Sequence, residues 1–211
     1  MNNISILFPT PVYSAPVAGH RKFKEAVVPK LLDTFNSGPH RQEDWAVLCN
    51  SWQVPLHEIA SKDFDLISGD IQSAIGTYFE YLQTPPFDYE IFGWVNVHTS
   101  DMYQEVHNHV SETKAHGKAA LIAGIYYLQF DRDAHRPVRF VNPDREFSTL
   151  MRTLNLDVEN PIMAQYPEPD ISEGDLLLFP STLDHFVPKS KPSNIHRISI
   201  SFNVFPHVRS S

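Results

Sequence analysis

The sequence predicts an α+β domain in which helices come first and a jelly-roll β core follows. Two amphipathic stripes at helical spacing occupy the first half of the chain. From about Tyr89 onward the pattern switches to short β-rich runs. Turn-forming residues punctuate these runs, as in Asn142-Pro143-Asp144 and Glu173-Gly174-Asp175. Many short strands separated by such signals indicate a sandwich or barrel. Helices segregated from strands indicate that the helices buttress one sheet.

The first stripe is Phe23, Val27, Leu31 and Phe35, within which Pro29 either kinks the helix or marks its first turn. The second is Phe64, Ile67, Ile71, Ile75, Phe79 and Leu82, closed by Pro85-Pro86. Both stripes are core faces without a chemical role. The strand candidates are YEIFGWVNVHT, MYQEVHNHV, ALIAGIYYLQF, PVRFVN, DLLLFPS and RISISFNVF, in that order. With 211 residues, no internal repeat and no Gly- or Ser-rich linker, the chain reads as one domain over 1–211. Residues 1–88 are its mainly helical support, and 89–211 its jelly-roll core.

Composition narrows the function. The chain is 42% hydrophobic and 20% charged, with a net charge of −8, as expected of a globular domain. No run of Lys and Arg supplies the electrostatic footprint of a nucleic-acid binder. No segment nears the ~18 continuous apolar residues of a membrane-spanning helix. The start, MNNISILFPTPVY, lacks the basic n-region of a signal peptide. Cys49 is the one cysteine, so no intramolecular disulfide forms, which suits a reducing, cytoplasmic compartment.

The candidate chemistry sits in three segments. In EVHNHV, His107 and His109 alternate with Val106 and Val110 in a strand-like pattern, so both imidazoles can converge on one point. The segment DLLLFPSTLDHFVP places His185 after an apolar strand and a Pro turn. Arg197 then heads RISISFNVF, where Arg197, Ser199, Ser201 and Asn203 share one face and Ile198, Ile200 and Phe202 the other. A guanidinium and two hydroxyls inside a barrel need an anionic partner, and a carboxylate ligand would supply it. His98, His116, His135 and His207 read as ordinary histidines, and His196 points away from the Arg197 face. Arg139 reads as a solvated strand charge, and Asp175 and Asp184 as turn residues.

Together, the close His pair, the later His in a GDL-FPS---H-V-P stretch and the Arg-x-Ser strand resemble the Fe(II)/2-oxoglutarate-dependent oxygenases. More narrowly, the chain is similar to the 2OG-Fe(II) oxygenases of bacteria and their phages, which are related to prolyl hydroxylases. ILFPTPVYSAPV, the HNH followed by AGIYYL, and HRISISFNVF carry the likeness across most of the chain. The resemblance implies a double-stranded β-helix with Fe(II) held by His107, His109 and His185. Three metal positions would stay open for two oxygens of 2-oxoglutarate and for O2. Arg197 would bind the far carboxylate of 2-oxoglutarate, helped by Ser199, and Tyr127 of GIYYL would hydrogen-bond the same group. Asn96 and Tyr103 would line the cosubstrate pocket. The implied reaction hydroxylates a small-molecule or peptidyl substrate with release of succinate and CO2. The implied setting is the cytoplasm of a bacterial cell or phage-infected host, with a homodimer allowed.

One position departs from the family pattern. The usual second ligand is Asp or Glu, and residue 109 is His. Either three histidines hold the metal, the favoured reading, or a carboxylate such as Glu112 or Asp101 completes the set. Shifting the pair to His109 and Ser111 leaves no ordinary ligand at the second place. Two other functions compete: a three-His cupin-type dioxygenase that ignores 2-oxoglutarate, and a non-enzymatic jelly-roll binding protein. The cupin alternative gives no reason for Arg197, and the binding protein gives none for the histidines.

Overall fold

A computed structural model of the chain describes residues 9–37, 52–55, 62–110, 119–156, 160 and 163–207. Both apolar stripes fold as helices. Helix α1 (His20–Ser37) buries Phe23, Val27, Val28, Leu31 and Phe35 and runs through Pro29, which is neither its start nor its end. Helix α2 (Asp65–Tyr81) buries Ile67, Ile71, Ala74, Ile75 and Tyr78. Phe64 and Phe79 pack partly against the same core. Leu82 does not belong to the stripe: it stands beyond the helix end, 42% exposed, just before Gln83 turns the chain with a φ of 54°.

The strands form two antiparallel sheets. The larger has six strands in the order β1 (Tyr13–Pro16), β7 (Asp175–Pro180), β5 (Ile122–Gln129), β9 (Arg197–Pro206), β3 (Tyr89–His98) and β2 (Trp52–Pro55). The smaller has three, in the order β4 (Gln104–His107), β8 (His185–Val187) and β6 (Arg139–Phe140). Residues 1–88 therefore supply both edge strands of the large sheet as well as α1 and α2. A third described helix, α3 (Arg145–Thr153), follows β6; no apolar stripe foretold it, since Phe147 and Leu150 are exposed.

Alternation along the central strands separates two buried layers. Ile122, Tyr126 and Leu128 of β5, Leu176 and Leu178 of β7, and Ile198, Ile200, Phe202 and Val204 of β9 face α1 and α2 in one core. Ala123, Ile125 and Tyr127 of β5, with Leu177 and Phe179 of β7, pack instead with Val138, Phe140 and Leu183 near the small sheet. The central β3–β9 ladder is continuous over ten residues, from Tyr89↔Pro206 to His98↔Arg197. It lays Trp94, Asn96 and His98 beside Ser201, Ser199 and Arg197 on the side away from the helices.

Helix α1 is also clamped by polar contacts. Lys24 Nζ donates to Glu173 Oε1 at 2.6 Å and Phe130 N–H to Glu173 Oε2 at 3.0 Å. His20 Nδ1 lies 2.6 Å from the Tyr126 hydroxyl. Burial alone would raise the Glu173 carboxyl; the hydrogen bonds from Lys24 and Phe130 and the Lys24 charge outweigh it and hold it below the ordinary 4.5. A depressed folded pKa means this stabilisation is present above the unfolded carboxylate value and disappears as pH falls through the folded one. Glu173→Gln is therefore expected to lower the Tm at pH 7. The gap to the native protein should close in thermal scans taken below the carboxylate range. A gap of constant size down to acid pH would contradict this account.

Gly124 sits opposite Phe202 in the β5–β9 ladder. A Cβ there would stand 2.2 Å from the ring Cζ of Phe202, which is fully buried and cannot swing away. Gly124→Ala should cost about 1–3 kcal/mol by overpacking, read as a lower urea midpoint at unchanged m-value.

Candidate metal centre

The two sheets bring the three predicted histidines together. His107 ends β4 and pairs directly with His185, the first residue of β8. His109 lies past the end of β4, so the pair does not stay on one strand as the spacing suggested. A short turn brings His109 back instead. The Asn108 side chain donates to Asp184 Oδ1 at 2.7 Å, and its own Oδ1 accepts the Val110 N–H at 3.2 Å. The His109 N–H donates to the Ser181 carbonyl at 2.9 Å. These bonds pin the β4 end to the β7–β8 connection from two sides. Asp184 is thus more than a turn residue, because it fastens the segment carrying His185 to the one carrying His109.

The ligating atoms of His107, His109 and His185 lie within 4.8 Å of one another. His107 Nδ1 is 2.7 Å from the Glu105 carbonyl and His185 Nδ1 2.8 Å from the Leu183 carbonyl. A carbonyl only accepts, so each Nδ1 carries the proton and each Nε2 presents a lone pair. His109 Nε2 and His185 Nε2 are 3.3 Å apart. Two imidazoles on one ion, with bonds of roughly 2.0–2.1 Å, span about 2.9–3.4 Å between right and tetrahedral angles. Burial, with His107 and His109 alongside, holds His185 well below the usual imidazole range. It is the neutral form, the one that binds metal. The donor set therefore fits a first-row divalent ion such as iron(II).

Aromatic rings wall the cluster. Trp94 stacks on His109 at 6.0 Å, His109 and His185 lie parallel within 3°, and Phe179 meets His185 edge-on at 4.9 Å. Trp94 was missed from sequence, although it shares strand parity with Asn96 in GWVNVH. The same cavity is lined by Asn96, Gln104, Ser201 and Arg197. Asn96 Nδ2 donates to Ser201 Oγ at 2.8 Å.

Arg197 is 2% exposed, and Nη1 donates to the Arg136 carbonyl at 3.1 Å. Its Nε has no hydrogen-bond partner among the described residues, and no salt bridge reaches it among them. A desolvated guanidinium without a counter-charge is costly, so this cavity fits a carboxylate ligand such as that of 2-oxoglutarate. Tyr127 is fully buried, with its ring 5.9 Å from the Arg197 guanidinium carbon and its hydroxyl accepting the Val138 N–H at 3.1 Å. The buried Ser199 hydroxyl has no partner among the described residues. Tyr103 carries the Lys189 ammonium over its ring at 5.4 Å. Asp101 is hydrogen-bonded to Thr99 in a turn and stands apart from the histidine cluster. Glu112, Ser111, His116 and Cys49 lie outside the described residues.

No curated protein matches the chain. Solved structures share its fold at low identity. A prolyl-4-hydroxylase from Pseudomonas putida superposes with a TM-score of 0.63 at 11% identity, covering 94% of each chain. A Trichoplax adhaerens prolyl hydroxylase, solved with a hypoxia inducible factor peptide fragment, gives 0.61 at 14%, covering 92% of this chain and 83% of that one. HygX from Streptomyces hygroscopicus, solved with nickel and 2-oxoglutarate, gives 0.56 at 13%, covering 93% and 83%. The family described as "Putative 2OG-Fe(II) oxygenase" matches residues 93–203, the stretch that holds all three histidines and Arg197, and the chain belongs to that family.

Proposed function

We propose that the chain is an Fe(II)- and 2-oxoglutarate-dependent dioxygenase that hydroxylates a small-molecule or peptidyl substrate. The observation that carries this reading is Arg197, buried without a carboxylate among the described residues and facing the cavity of three converging imidazoles. The two facing sheets are a double-stranded β-helix in this reading, within one domain. His107, His109 and His185 hold the iron. Iron bound there, with 2-oxoglutarate and O2, supplies oxidative decarboxylation to succinate and CO2 and oxidation of a substrate C–H bond.

The protein's own share is binding and orientation. Arg197 anchors the far carboxylate, and Ser199 adds a hydroxyl donor on the same face. Burial raises the Tyr127 phenol above its ordinary pKa, so it stays protonated and can donate as well. Trp94 and Phe179 keep water from the imidazoles. The peptide held by the Trichoplax enzyme supports a peptidyl substrate. Among the described residues no helix is long and apolar enough to cross a membrane, and the lone cysteine supports a cytoplasmic location. The three-imidazole set also suits a cupin-type dioxygenase that ignores 2-oxoglutarate. Arg197 favours the first reading.

Anaerobic addition of iron(II) and 2-oxoglutarate to metal-free protein should produce a weak visible charge-transfer band. Arg197→Ala should weaken 2-oxoglutarate binding at least ~tenfold, given the ~1.5–3 kcal/mol of a charged hydrogen bond, and so remove the band at matched concentration. Bound iron with no band in the native protein would favour the cupin-type reading, and no iron binding at all the binding-protein one. His185→Ala should abolish stoichiometric iron binding. Asn108→Ala, which only loosens the ligand turn, should weaken it roughly 10–100-fold in metal titrations.

A further inference from the structure

The end of the cavity face holds a group that the reading above does not use. His98 is 3% exposed, and neither ring nitrogen has a hydrogen-bond partner among the described residues. It ends β3 directly opposite Arg197 on β9, and cross-strand partners on one face hold their Cβ atoms about 4.5–5.5 Å apart. Strand parity puts it on the same side as Trp94 and Asn96, both of which line the cavity. Burial, then the Arg197 and His135 charges, keeps its ring neutral, with one N–H donor and one lone pair.

Of the other polar groups nearby, the Ser199 hydroxyl is also without a partner among the described residues, while His135, Tyr127 and Asn96 are engaged. His135 accepts the Asp131 N–H at 3.0 Å and reaches the Ile195 carbonyl at 2.8 Å. The Tyr127 hydroxyl takes the Val138 N–H, and the Asn96 amide donates to Ser201. Against that background, a buried imidazole with both nitrogens idle beside an uncompensated guanidinium is expensive to keep. A ligand that accepts from both groups would offset that expense.

We propose that His98 is a further anchor of the cosubstrate's far carboxylate, its N–H joining the Arg197 guanidinium on the carboxylate oxygens. This rests on the 2-oxoglutarate reading of the site and deepens it by naming what selects a dicarboxylate. His98 is a binding residue in this account, with no part in proton transfer. Its idle state in the free protein is a local instability kept for the sake of the ligand.

The test is anaerobic calorimetry of the iron(II)-loaded protein with 2-oxoglutarate and with 2-oxobutyrate, which lacks the far carboxylate. His98→Leu is expected to weaken 2-oxoglutarate binding tenfold or more while leaving 2-oxobutyrate binding unchanged. His98→Gln, which keeps an N–H donor, is expected to stay within about threefold of the native protein. The metal-free His98→Leu protein should also melt higher than the native one, because an unpaired buried polar group has been removed. Native-like 2-oxoglutarate affinity in His98→Leu would overturn the proposal, as would an equal loss for both ligands. If the native protein binds no 2-oxoglutarate, it is the function proposed above that fails.

Discussion

The central strands of the six-stranded sheet are buried on both faces, and the rest of the molecule follows from that constraint. An antiparallel sheet commonly leaves one face to water. Here every residue of β5 is buried, and so are eight of the ten in β9. One face is apolar throughout and is covered by α1 and α2. The other is apolar only along β5 and β7; along β3 and β9 it carries Trp94, Asn96, His98, Arg197, Ser199 and Ser201. Polar side chains in that position need partners, and a few of them partner each other, as Asn96 and Ser201 do. The residue of unmet demand falls at Arg197, His98 and Ser199, which is what makes the gap between the sheets a site and not a second core.

The small sheet brings the three histidines to that gap. β4, β8 and β6 are four, three and two residues long, too short for a stable sheet by themselves. They are held by their surroundings: Phe140 and Phe179 pack edge-on at 5.0 Å, and Val141 N–H reaches the Asp184 carbonyl at 2.8 Å. Positioning then depends on a handful of specific hydrogen bonds, from Asn108 to Asp184 and from His109 to Ser181. A geometry that depends on so few bonds is sensitive to second-layer substitutions far from any ligand atom.

Much of this was legible in the sequence, and the exceptions have a common cause. The helical stripes, the strand runs and the parity of RISISFNVF are local periodicities, and the structure keeps them. Arg197 was readable for the same reason, since its apolar neighbours fix the face it shares. What periodicity could not reveal is anything set by a contact between distant segments. His109 reaches the cluster by a turn because Asn108 meets Asp184, which lies 76 residues away. Strands β1 and β2 are four residues each, defined by the strands they pair with and not by their own pattern. His98 looked ordinary because its significance is its register with Arg197. Asp101 departs in the opposite sense: proximity in sequence suggested the site, and a local hydrogen bond to Thr99 holds it in a turn instead.

Replacing a carboxylate by His109 changes the charge balance more than the shape. Three neutral imidazoles leave a divalent ion with its full charge, where two imidazoles and a carboxylate would leave one unit less. Arg197 adds a further positive charge at the other end of the cavity. A dianionic 2-oxo acid brought between them meets attraction at both ends, and in such a partly buried setting each unit charge at 4 Å is worth about 4 kcal/mol at an effective dielectric of 20. After a dianion binds, the ion, the guanidinium and the ligand still sum to one positive charge. In the proposed dioxygenase, such a site would be biased toward anions beyond the cosubstrate itself, and an acidic group close to the reacting carbon of the substrate would be favoured electrostatically over a basic one. The aromatic wall of Trp94 and Phe179 strengthens that bias, because excluding water lowers the screening between whatever charges the cavity holds.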